Sequence, residues 1–357
     1  METENNIPIP VKKRRAKRKK AQHNPAEGLI KALTFISLAQ KKVGTIEDQY
    51  CFIGNNWAVA SNGKIMLATK IAEDLQACPH TFQFINALSN CNVGMLISQL
   101  SKYELEVNSE DFRGIVPCVD ASELKLIAPN AFICGLSSSI KTAISLLNPI
   151  LNESATLDCY SHLLLQNQTA VASNGTIIVE VYHGEYLDNN AYVVNKQTTS
   201  VLSKTDKLLS GYGYSEVSIT FFFEDKSILT CVLPDEKYPE YESIFKNDCQ
   251  IRPVPENFFK AVKIINEFSN DGFVYFNNGS ITNAADIGKE SSYKIQGLPD
   301  GMSFNVKSLL LIETYVTSFE FDVEANKLYF FGEGLRGVIL GANRPEEIKL
   351  GENIVPF

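Results

Sequence analysis

Short apolar runs alternate with polar turns along most of the chain, and a few longer segments carry apolar residues at helical spacing. The clearest unit is Ala58-Val59-Ala60-Ser61-Asn62-Gly63, which an apolar run precedes and another follows. Asn and Gly tolerate the positive φ of a tight turn, so the unit predicts a strand, a turn and a second strand. By itself, this pattern indicates a hairpin without any function of its own.

The same hairpin phrase occurs again further along the chain. Its six residues recur as 170–175, 112 positions after the first copy, and a weaker third copy follows at 280–285. An asparagine precedes each copy at a comparable distance, as Asn55, Asn167 and Asn277. Because internal repetition at a fixed period reflects a repeated structural unit, we predict three tandem units of about 110 residues.

Each unit contains two amphipathic segments and two groups of apolar runs. Helices are predicted from Pro25, near Thr81–Ser89, over about Ser137–Leu147, near Thr198–Ser210, from Pro255 and after Phe304-Asn305-Val306. Later strands are predicted near Met95–Gln99, Tyr103–Val107, Gly114–Cys118, Glu216–Phe222, Ser227–Leu233, Ser318–Val323, Lys327–Phe331 and Arg336–Leu340. We therefore expect an α+β fold of three tandem repeats, each with two helices on an antiparallel sheet.

The repeats divide the 357 residues into segments of ordinary domain size. The predicted segments are a disordered basic arm at 1–24, three domains at 25–128, 129–246 and 247–344, and a C-terminal tail at 345–357.

Charge is distributed unevenly along the sequence. The formal net charge is −8, yet residues 1–24 contain eight Lys and Arg against two Glu. The arm is expected either to be a solvated tail or to act as a nucleic-acid tether or targeting signal. The acidic remainder would repel DNA on average, so any DNA contact there requires segregated basic positions.

Lysines provide such positions on five of the six predicted helices, on the side opposite the apolar stripe. The helix near Thr81–Ser89 has only amides there. The candidate DNA-binding residues are Lys31, Lys41, Lys141, Lys204, Lys207, Lys260, Lys263 and Lys307.

Patterns typical of catalysis are isolated. Gly332–Gly337 matches Gly-x-Gly-x-x-Gly, but a strand follows where a phosphate site needs a helix. Ser138 and Lys141 match Ser-x-x-Lys without the companion motifs. The four histidines are scattered and no Cys-x-x-Cys occurs, so we expect no enzyme activity, no metal and no cofactor.

The lack of recognisable targeting signals limits where in the cell the protein is expected. No apolar run approaches the roughly 20 residues of a membrane-spanning helix, and the N-terminus lacks the apolar core of a secretory signal. The eight widely spaced cysteines indicate reduced thiols in the cytoplasm, and no membrane contact is expected.

Three features together resemble the DNA polymerase III beta-subunit sliding clamp family. The first is the triple repeat. The second is Tyr238-Pro239-Glu240-Tyr241, similar to the segment that ends the family's middle domain. The third is Phe304-Asn305-Val306-Lys307-Ser308-Leu309-Leu310, similar to the family's Phe-Asn-x-x-Tyr-Leu. Ser173-Asn174-Gly175 stands where the family has Thr-Asp-Gly, and the resemblance covers about residues 25–344.

The resemblance implies a non-enzymatic processivity factor. Two chains would associate head to tail as a homodimer, and the six domains would close a ring whose helices face double-stranded DNA without reading its sequence. DNA polymerase and the clamp loader would bind the ring. The location would be cytoplasmic. The protein would be associated with the nucleoid or, if a phage encodes it, would act in the host cytoplasm.

The resemblance also implies a hydrophobic partner-peptide pocket between the second and third domains. The positions carried over are Ser173, Gly175, Thr176, Ile177, Ile178, Pro239, Ser243, Ile244, Val338, Ile339, Leu340, Gly341 and Ala342. For the aliphatic members, an ordinary core position is the alternative. Two basic positions of the family are lost, since Thr176 and Ile177 follow the turn and Ser243 replaces the other, which suits a divergent clamp.

Two further hypotheses concern the ends of the chain. A repeat-built scaffold held on DNA by its basic arm, without ring closure, is the alternative to a clamp. Asn353–Phe357 vaguely resembles a partner peptide and would dock in the pocket of its own ring, unless it is a frayed tail. Deleting 345–357 should then tighten the binding of partner peptides.

Overall fold

The computed structural model describes residues 24–91, 94–152, 158–188, 190–245, 250–285 and 290–342. Of the predicted basic arm only Asn24 is described, and the predicted tail at 345–357 lies outside the described residues.

Seven α-helices are assigned in the described ranges. They are α1 (Glu27–Ile36), α2 (Ile46–Gln49), α3 (Thr81–Ser89), α4 (Ser138–Asn152), α5 (Lys196–Lys204), α6 (Phe258–Asn266) and α7 (Val306–Leu311). Short 3-10 turns cover Ser37–Ala39, Ala121–Glu123, Asp158–Ser161 and Glu242–Phe245. Side-chain caps begin α5 and α7, because Asn195 Oδ1 accepts from Thr198 N at 2.9 Å and Asn305 Oδ1 accepts from Lys307 N at 2.9 Å.

The strands follow the same repeat. The first repeat contains β1 (Phe52–Gly54), β2 (Trp57–Ser61), β3 (Ile65–Lys70), β4 (Leu96–Ser101), β5 (Glu104–Asn108) and β6 (Arg113–Pro117). The second contains β7 (Cys134–Gly135), β8 (His162–Gln166), β9 (Thr169–Ser173), β10 (Ile177–Tyr182), β11 (Tyr192–Asn195), β12 (Leu209–Tyr214), β13 (Ser218–Phe223) and β14 (Ile228–Val232). The third contains β15 (Arg252–Pro253), β16 (Phe273–Asn277), β17 (Ser280–Thr282), β18 (Ser292–Lys294), β19 (Ser303–Asn305), β20 (Val316–Asp322), β21 (Lys327–Gly332) and β22 (Leu335–Leu340).

These elements confirm the predicted α+β class. In each repeat a helix precedes a hairpin, and a second helix precedes a three-stranded meander. The helices at the hairpins are α1, α4 and α6, and those at the meanders are α3, α5 and α7. Buried residues such as Leu33, Ile144 and Val262 join the helices to one large hydrophobic core.

The recurring Ser-Asn-Gly phrase is a turn with a specific hydrogen-bond role. Asn62 Oδ1 accepts from Ile65 N at 2.9 Å, and Asn174 Oδ1 accepts from Ile177 N at 3.0 Å. The following glycines have φ of 78° and 89°, the left-handed region that glycine adopts without strain. In the third repeat Asn283 Oδ1 accepts from Ser291 N at 2.8 Å, so the asparagine keeps its role across a longer loop.

Continuous sheets cross both boundaries between repeats. β3 pairs with β14, which gives a seven-stranded sheet in the order β1-β2-β3-β14-β13-β12-β7. β10 pairs with β22, which gives an eight-stranded sheet in the order β11-β8-β9-β10-β22-β21-β20-β15. Strand pairs at both junctions satisfy backbone donors and acceptors, so neighbouring repeats are held together by main-chain hydrogen bonds.

Two smaller sheets belong to single repeats. One has the order β4-β5-β6 in the first repeat, and the other has the order β18-β17-β16-β19 in the third. By its place in the repeat, β6 is equivalent to β14 and β22, and β18 is equivalent to β3 and β10. Within the described residues, β6 and β18 are therefore open edges at the positions where the other repeats join.

Two sequence predictions about lysines were wrong. The helix predicted over Thr198–Ser210 ends at Lys204, since Thr205 is extended and β12 begins at Leu209. Lys207 is thus not on a helix. Lys41 also lies beyond both α1 and the 3-10 turn that follows it. A short apolar run at Leu208 and Leu209 does not distinguish helix from strand, and pairing of Leu209 with Phe223 decides the outcome.

Candidate functional site

Positive charge is concentrated on the helices of this acidic chain. The six helices α1, α3, α4, α5, α6 and α7 contain seven lysines and a single acidic residue, Glu27. The lysines are Lys31, Lys141, Lys196, Lys204, Lys260, Lys263 and Lys307. Because the whole chain has a net charge of −8, the helical surface differs in sign from the rest of the protein.

Most of these lysines face solvent. Lys204, Lys260 and Lys307 are exposed and form no ion pair with the described residues. Lys31 lies 2.6 Å from Glu27 and Lys263 lies 2.6 Å from Glu313, both in exposed pairs. Such pairs contribute only about 0–1 kcal/mol, so an incoming phosphate can compete for these cations.

Lys141 and Lys207 instead hold neighbouring segments together. Lys141 Nζ donates to the carbonyls of Thr205 and Lys207, the latter at 3.0 Å, and so fixes the chain after α5. Lys207 pairs with Asp225 and lies 4.6 Å from the ring centre of Phe35 in α1. Lys207 therefore contacts both sides of the boundary between the first and second repeats. These contacts make its ammonium group less available to other ligands.

A basic groove crosses the same boundary. It has a volume of about 570 Å³, and its lining includes Lys31, Lys70, Lys204 and Lys207. The structure thus brings together three of the predicted lysines from separate elements. Lys70 was not predicted, because it lies at the end of β3 and the helical pattern used to find the others is absent from a strand.

A second hydrophobic cluster lies on the face of the eight-stranded sheet that is opposite the helices. Its buried members are Leu164, Val171, Ile178, Tyr241, Tyr329 and Val338, and Val193, Tyr238, Ile244, Phe245 and Phe331 pack against them. Of the predicted pocket residues, Ile178, Ile244 and Val338 belong to this second cluster.

Ile177 and Ile339 lie on the other face of the sheet. They are register partners on β10 and β22 and are buried in the main core. Side chains alternate along a strand, so neither isoleucine can share a surface with Ile178 and Val338. These two positions are core residues, the alternative that the sequence had left open.

The remaining predicted pocket residues surround the cluster. Ser173, Gly175 and Thr176 form the hairpin turn, and Leu340 N donates to Thr176 O at 2.8 Å. Gly341 N donates to Asn326 O at 2.7 Å and Ala342 N to Ser303 O at 2.9 Å, which holds the end of β22 against the third repeat.

A segment that we call the strap, residues 234–245, covers part of the second cluster. Tyr241 OH donates to Glu180 Oε1 at 3.3 Å and accepts from Gln166. Burial and the neighbouring Glu180 carboxylate raise the pKa of Tyr241, so its hydroxyl stays protonated and donating. Phe245 lies 4.4 Å from the Arg336 guanidinium. These contacts attach the strap to β8, β10 and β22.

A groove separates the strap from β8 and β11. Its volume is about 780 Å³, and its lining includes predicted pocket residues Pro239 and Ser243. Leu164 and Val193, which are register partners on β8 and β11, contribute to the apolar lining. Sequence reasoning missed both residues, although alternation along Leu163-Leu164-Leu165 signals that Leu164 faces away from the core.

Comparisons with known proteins identify the fold. No protein-family model matches the chain, and no curated protein matches it by sequence. Among solved structures, the DNA polymerase III subunit beta of Pseudomonas aeruginosa is 15% identical with a TM-score of 0.72, over 89% of this chain and 98% of that one. The DNA polymerase sliding clamp of Caulobacter crescentus is 15% identical with a TM-score of 0.73, over 88% and 97%.

The chain has the sliding-clamp fold. A putative DNA polymerase III beta subunit from Eubacterium rectale gives the same result at 13% identity and a TM-score of 0.73, over 88% of this chain and 96% of that one. The resemblance drawn from the sequence is therefore confirmed for the fold, at an identity that marks a divergent sequence.

The described residues contain no group of three or more His, Cys, Asp or Glu side chains placed to hold a metal ion. None of the helices in the described ranges is both long enough and apolar enough to cross a membrane.

Proposed function

We propose that the protein is a DNA sliding clamp that encircles duplex DNA and tethers a replicative DNA polymerase. The observation that carries the proposal is the segregation of charge within this fold: seven lysines and one glutamate on the six longer helices of a chain with net charge −8. Such a surface attracts the phosphate backbone at the helices and repels it elsewhere.

Ring closure is proposed from the open strand edges. Since β14 pairs with β3 and β22 pairs with β10, the equivalent strand β6 would pair with β18 of a second copy. Arg336 is opposite Glu180 in the β10–β22 register, and the same register places Arg113 opposite Ser292 of the second copy. β6 and β18 belong to the first and last repeats, so two copies would join head to tail and close with six repeats.

DNA binding by such a ring would be independent of sequence. Lysine ammonium groups contact phosphates, and phosphate contacts position a protein on DNA without reading bases. The ring could then slide, because displaced counterions are equivalent at every position along the duplex. Retention would come from encirclement, so individual contacts need not be strong.

The second cluster and the groove beside the strap are the proposed partner site. A polymerase or a clamp loader would insert apolar and aromatic side chains of a short peptide there, as buried aromatic anchors do in many interfaces. In this proposal the chain performs no chemistry and needs no cofactor, and it acts in the cytoplasm of a bacterium or of a phage-infected host.

Negative-stain electron microscopy with native mass measurement on the same sample tests this function. We expect a hollow ring with a pseudo-sixfold outline at about twice the 39.7 kDa chain mass. A compact particle of monomer mass at every protein concentration would contradict it.

The second candidate is a scaffold that its basic arm holds on DNA. The eight Lys and Arg within residues 1–24 favour it. A variant without residues 1–23 separates the two: a scaffold loses its salt-sensitive DNA binding, whereas a clamp keeps its ring and its helical lysines.

A further inference from the structure

The groove beside the strap combines an apolar lining with a strongly acidic rim. Its apolar residues include Leu164 and Val193 on neighbouring strands, Leu233 after β14, and Tyr238 and Pro239 on the strap. Leu164 and Tyr241 are buried, while Val193 and Tyr238 remain half-exposed and present apolar surface to the groove. This groove, of about 780 Å³, is large enough for several side chains of an extended peptide.

Carboxylates are enriched along this groove. Of the sixteen described residues that line it, five are acidic, compared with 41 Asp and Glu among 357 residues in the whole chain. They are Glu216, Asp235, Glu236, Glu240 and Glu242, and among the described residues of the lining only Lys237 is basic. The density of negative charge here is therefore well above that of the acidic body in general.

These carboxylates are available to a ligand. All five are exposed, and none forms an ion pair with another described residue. Glu240 and Glu242 flank Tyr241, whose side chain is buried in the second cluster, so the strap holds both carboxylates at the border between apolar surface and solvent. Unpaired charges at such a border repel nucleic acid and anionic peptides and attract cationic ones.

We propose that this groove binds an extended peptide of a partner protein in which a large apolar or aromatic residue is flanked by Lys or Arg. The apolar residue would lie on Leu164 and Val193, and the cations would pair with the carboxylates of the rim. The inference rests on the proposed function in one respect: the partner would be a replication protein recruited to the ring. It adds the charge of the partner segment, which the family resemblance does not supply.

Charge should therefore act on affinity in a graded way. An exposed ion pair changes binding by about two- to five-fold, and several such pairs within a Debye length of roughly 8–10 Å add to one another. Aliphatic and aromatic contacts would contribute the part of the affinity that salt does not reduce.

The test uses three labelled peptides with the same central Leu-Phe pair, flanked on both sides by Lys, by Gln or by Glu. Fluorescence anisotropy with the full chain should show the Lys-flanked peptide binding at least about ten-fold more tightly than the Glu-flanked one. The double variant Glu240→Gln/Glu242→Gln should weaken the Lys-flanked peptide about four-fold or more. The matched control Asp74→Asn/Glu324→Gln removes two exposed carboxylates elsewhere and should leave binding unchanged.

Several results would overturn the proposal. Equal affinities for the three peptides, or an unchanged affinity in the rim variant, would remove the role of charge. Binding that is seen only after residues 1–23 are deleted would show that the chain's own basic arm occupies the groove in the intact protein. Val193→Asn should weaken all three peptides, and no effect would place them elsewhere.

Native mass of the same samples keeps the two proposals distinct. A dimer that does not discriminate between the peptides would contradict the cationic partner peptide and leave the clamp proposal standing. A monomer that prefers the Lys-flanked peptide would contradict the clamp proposal and support the cationic partner peptide.

Discussion

Arg336 Nε lies 2.6 Å from Glu180 Oε2, and the two residues are register partners across the boundary between the second and third repeats. At the equivalent place in the first boundary, Ile228 is paired with Ala68. One boundary thus has an ion pair where the other has apolar contact. Glu180 also accepts from Tyr241, so the same carboxylate joins the sheet junction to the strap.

We expect Arg336→Met to destabilise the second boundary. The Glu180 side chain is only 11% exposed, and loss of its cation leaves a largely buried carboxylate with the hydrogen bond from Tyr241. Removing one partner of such a group costs about 1–3 kcal/mol, which urea unfolding would detect. Adding Glu180→Gln in the same chain should recover part of the loss. Lys102→Ala, which breaks an exposed pair with Asp120, should cost no more than about 1 kcal/mol.

Replacing lysines on the helices should weaken DNA binding and make it less dependent on salt. Replacing Lys204, Lys260 and Lys307 by Gln should weaken binding and reduce the dependence of log K on log salt by about 0.9 for each lost phosphate contact. Gln at the exposed Lys64, Lys102 and Lys226, which lie in turns, removes the same charge from other surfaces. An equal effect of both triple variants would show that the helical surface has no special role.

The open edge of β6 should be essential for dimer formation. Ile115 on this edge is 44% exposed, and Ile115→Asp would place a carboxylate in the proposed strand pair with β18 of a second copy. We expect native mass spectra to shift from dimer to monomer. Leu126→Asp is the matched control, because Leu126 is also 44% exposed but lies after β6 and the 3-10 turn at Ala121–Glu123, outside the proposed strand pair. A dimer that persists in Ile115→Asp would exclude this interface.

Acid should weaken the contact around Lys207. Partial burial alone would raise the pKa of Asp225, but hydrogen bonds from Lys207 and Ser227 outweigh it and lower the pKa below its ordinary value. The stabilisation is therefore present above the unfolded-state pKa of about 3.9 and is lost as pH falls through the lower folded-state pKa. Thermal unfolding between about pH 2 and pH 6 should show a shallower acid dependence for Asp225→Asn. Parallel curves for the two proteins would refute this role.

Elements with local signals were predictable. The alternation of apolar residues located the meander strands other than β12. Ser-Asn-Gly located two turns whose asparagines make the same local bond, Asn62 to Ile65 and Asn174 to Ile177. The strand β12 was missed because Gly and Tyr alternate in Leu209–Tyr214 and leave a weak apolar period. Its strand conformation depends on pairing with β13 and β7, which a local window does not contain.

For the candidate DNA-binding surface, the sequence predicted which lysines take part better than it predicted how they are arranged. Lysines on helical faces follow from the 3.6-residue period, so Lys204, Lys260 and Lys307 were found. The attachment of Lys207 to Asp225 and Phe35 could not be found, because Phe35 is far away in sequence and approaches only when α1 packs against the second repeat. Lys70 was missed because it lies at the end of a strand, outside any helical pattern, and only the fold brings it into the basic groove.

The sequence by itself determined the three repeats, their α+β class, the hairpin turns and the faces of the helices that carry lysine. The class, the turns and the helix faces depend on residues within a few positions of one another, where backbone geometry and side-chain periodicity act directly. The repeats follow from the recurrence of such local patterns at a fixed period. Only the tertiary structure decided that the repeats share sheets through β3–β14 and β10–β22, and that Ile178 faces the second cluster while Ile177 faces the core. Glu180 and Arg336 are separated by 156 positions. Their contact forms only because the rest of the fold offsets the entropy cost of closing the loop between them.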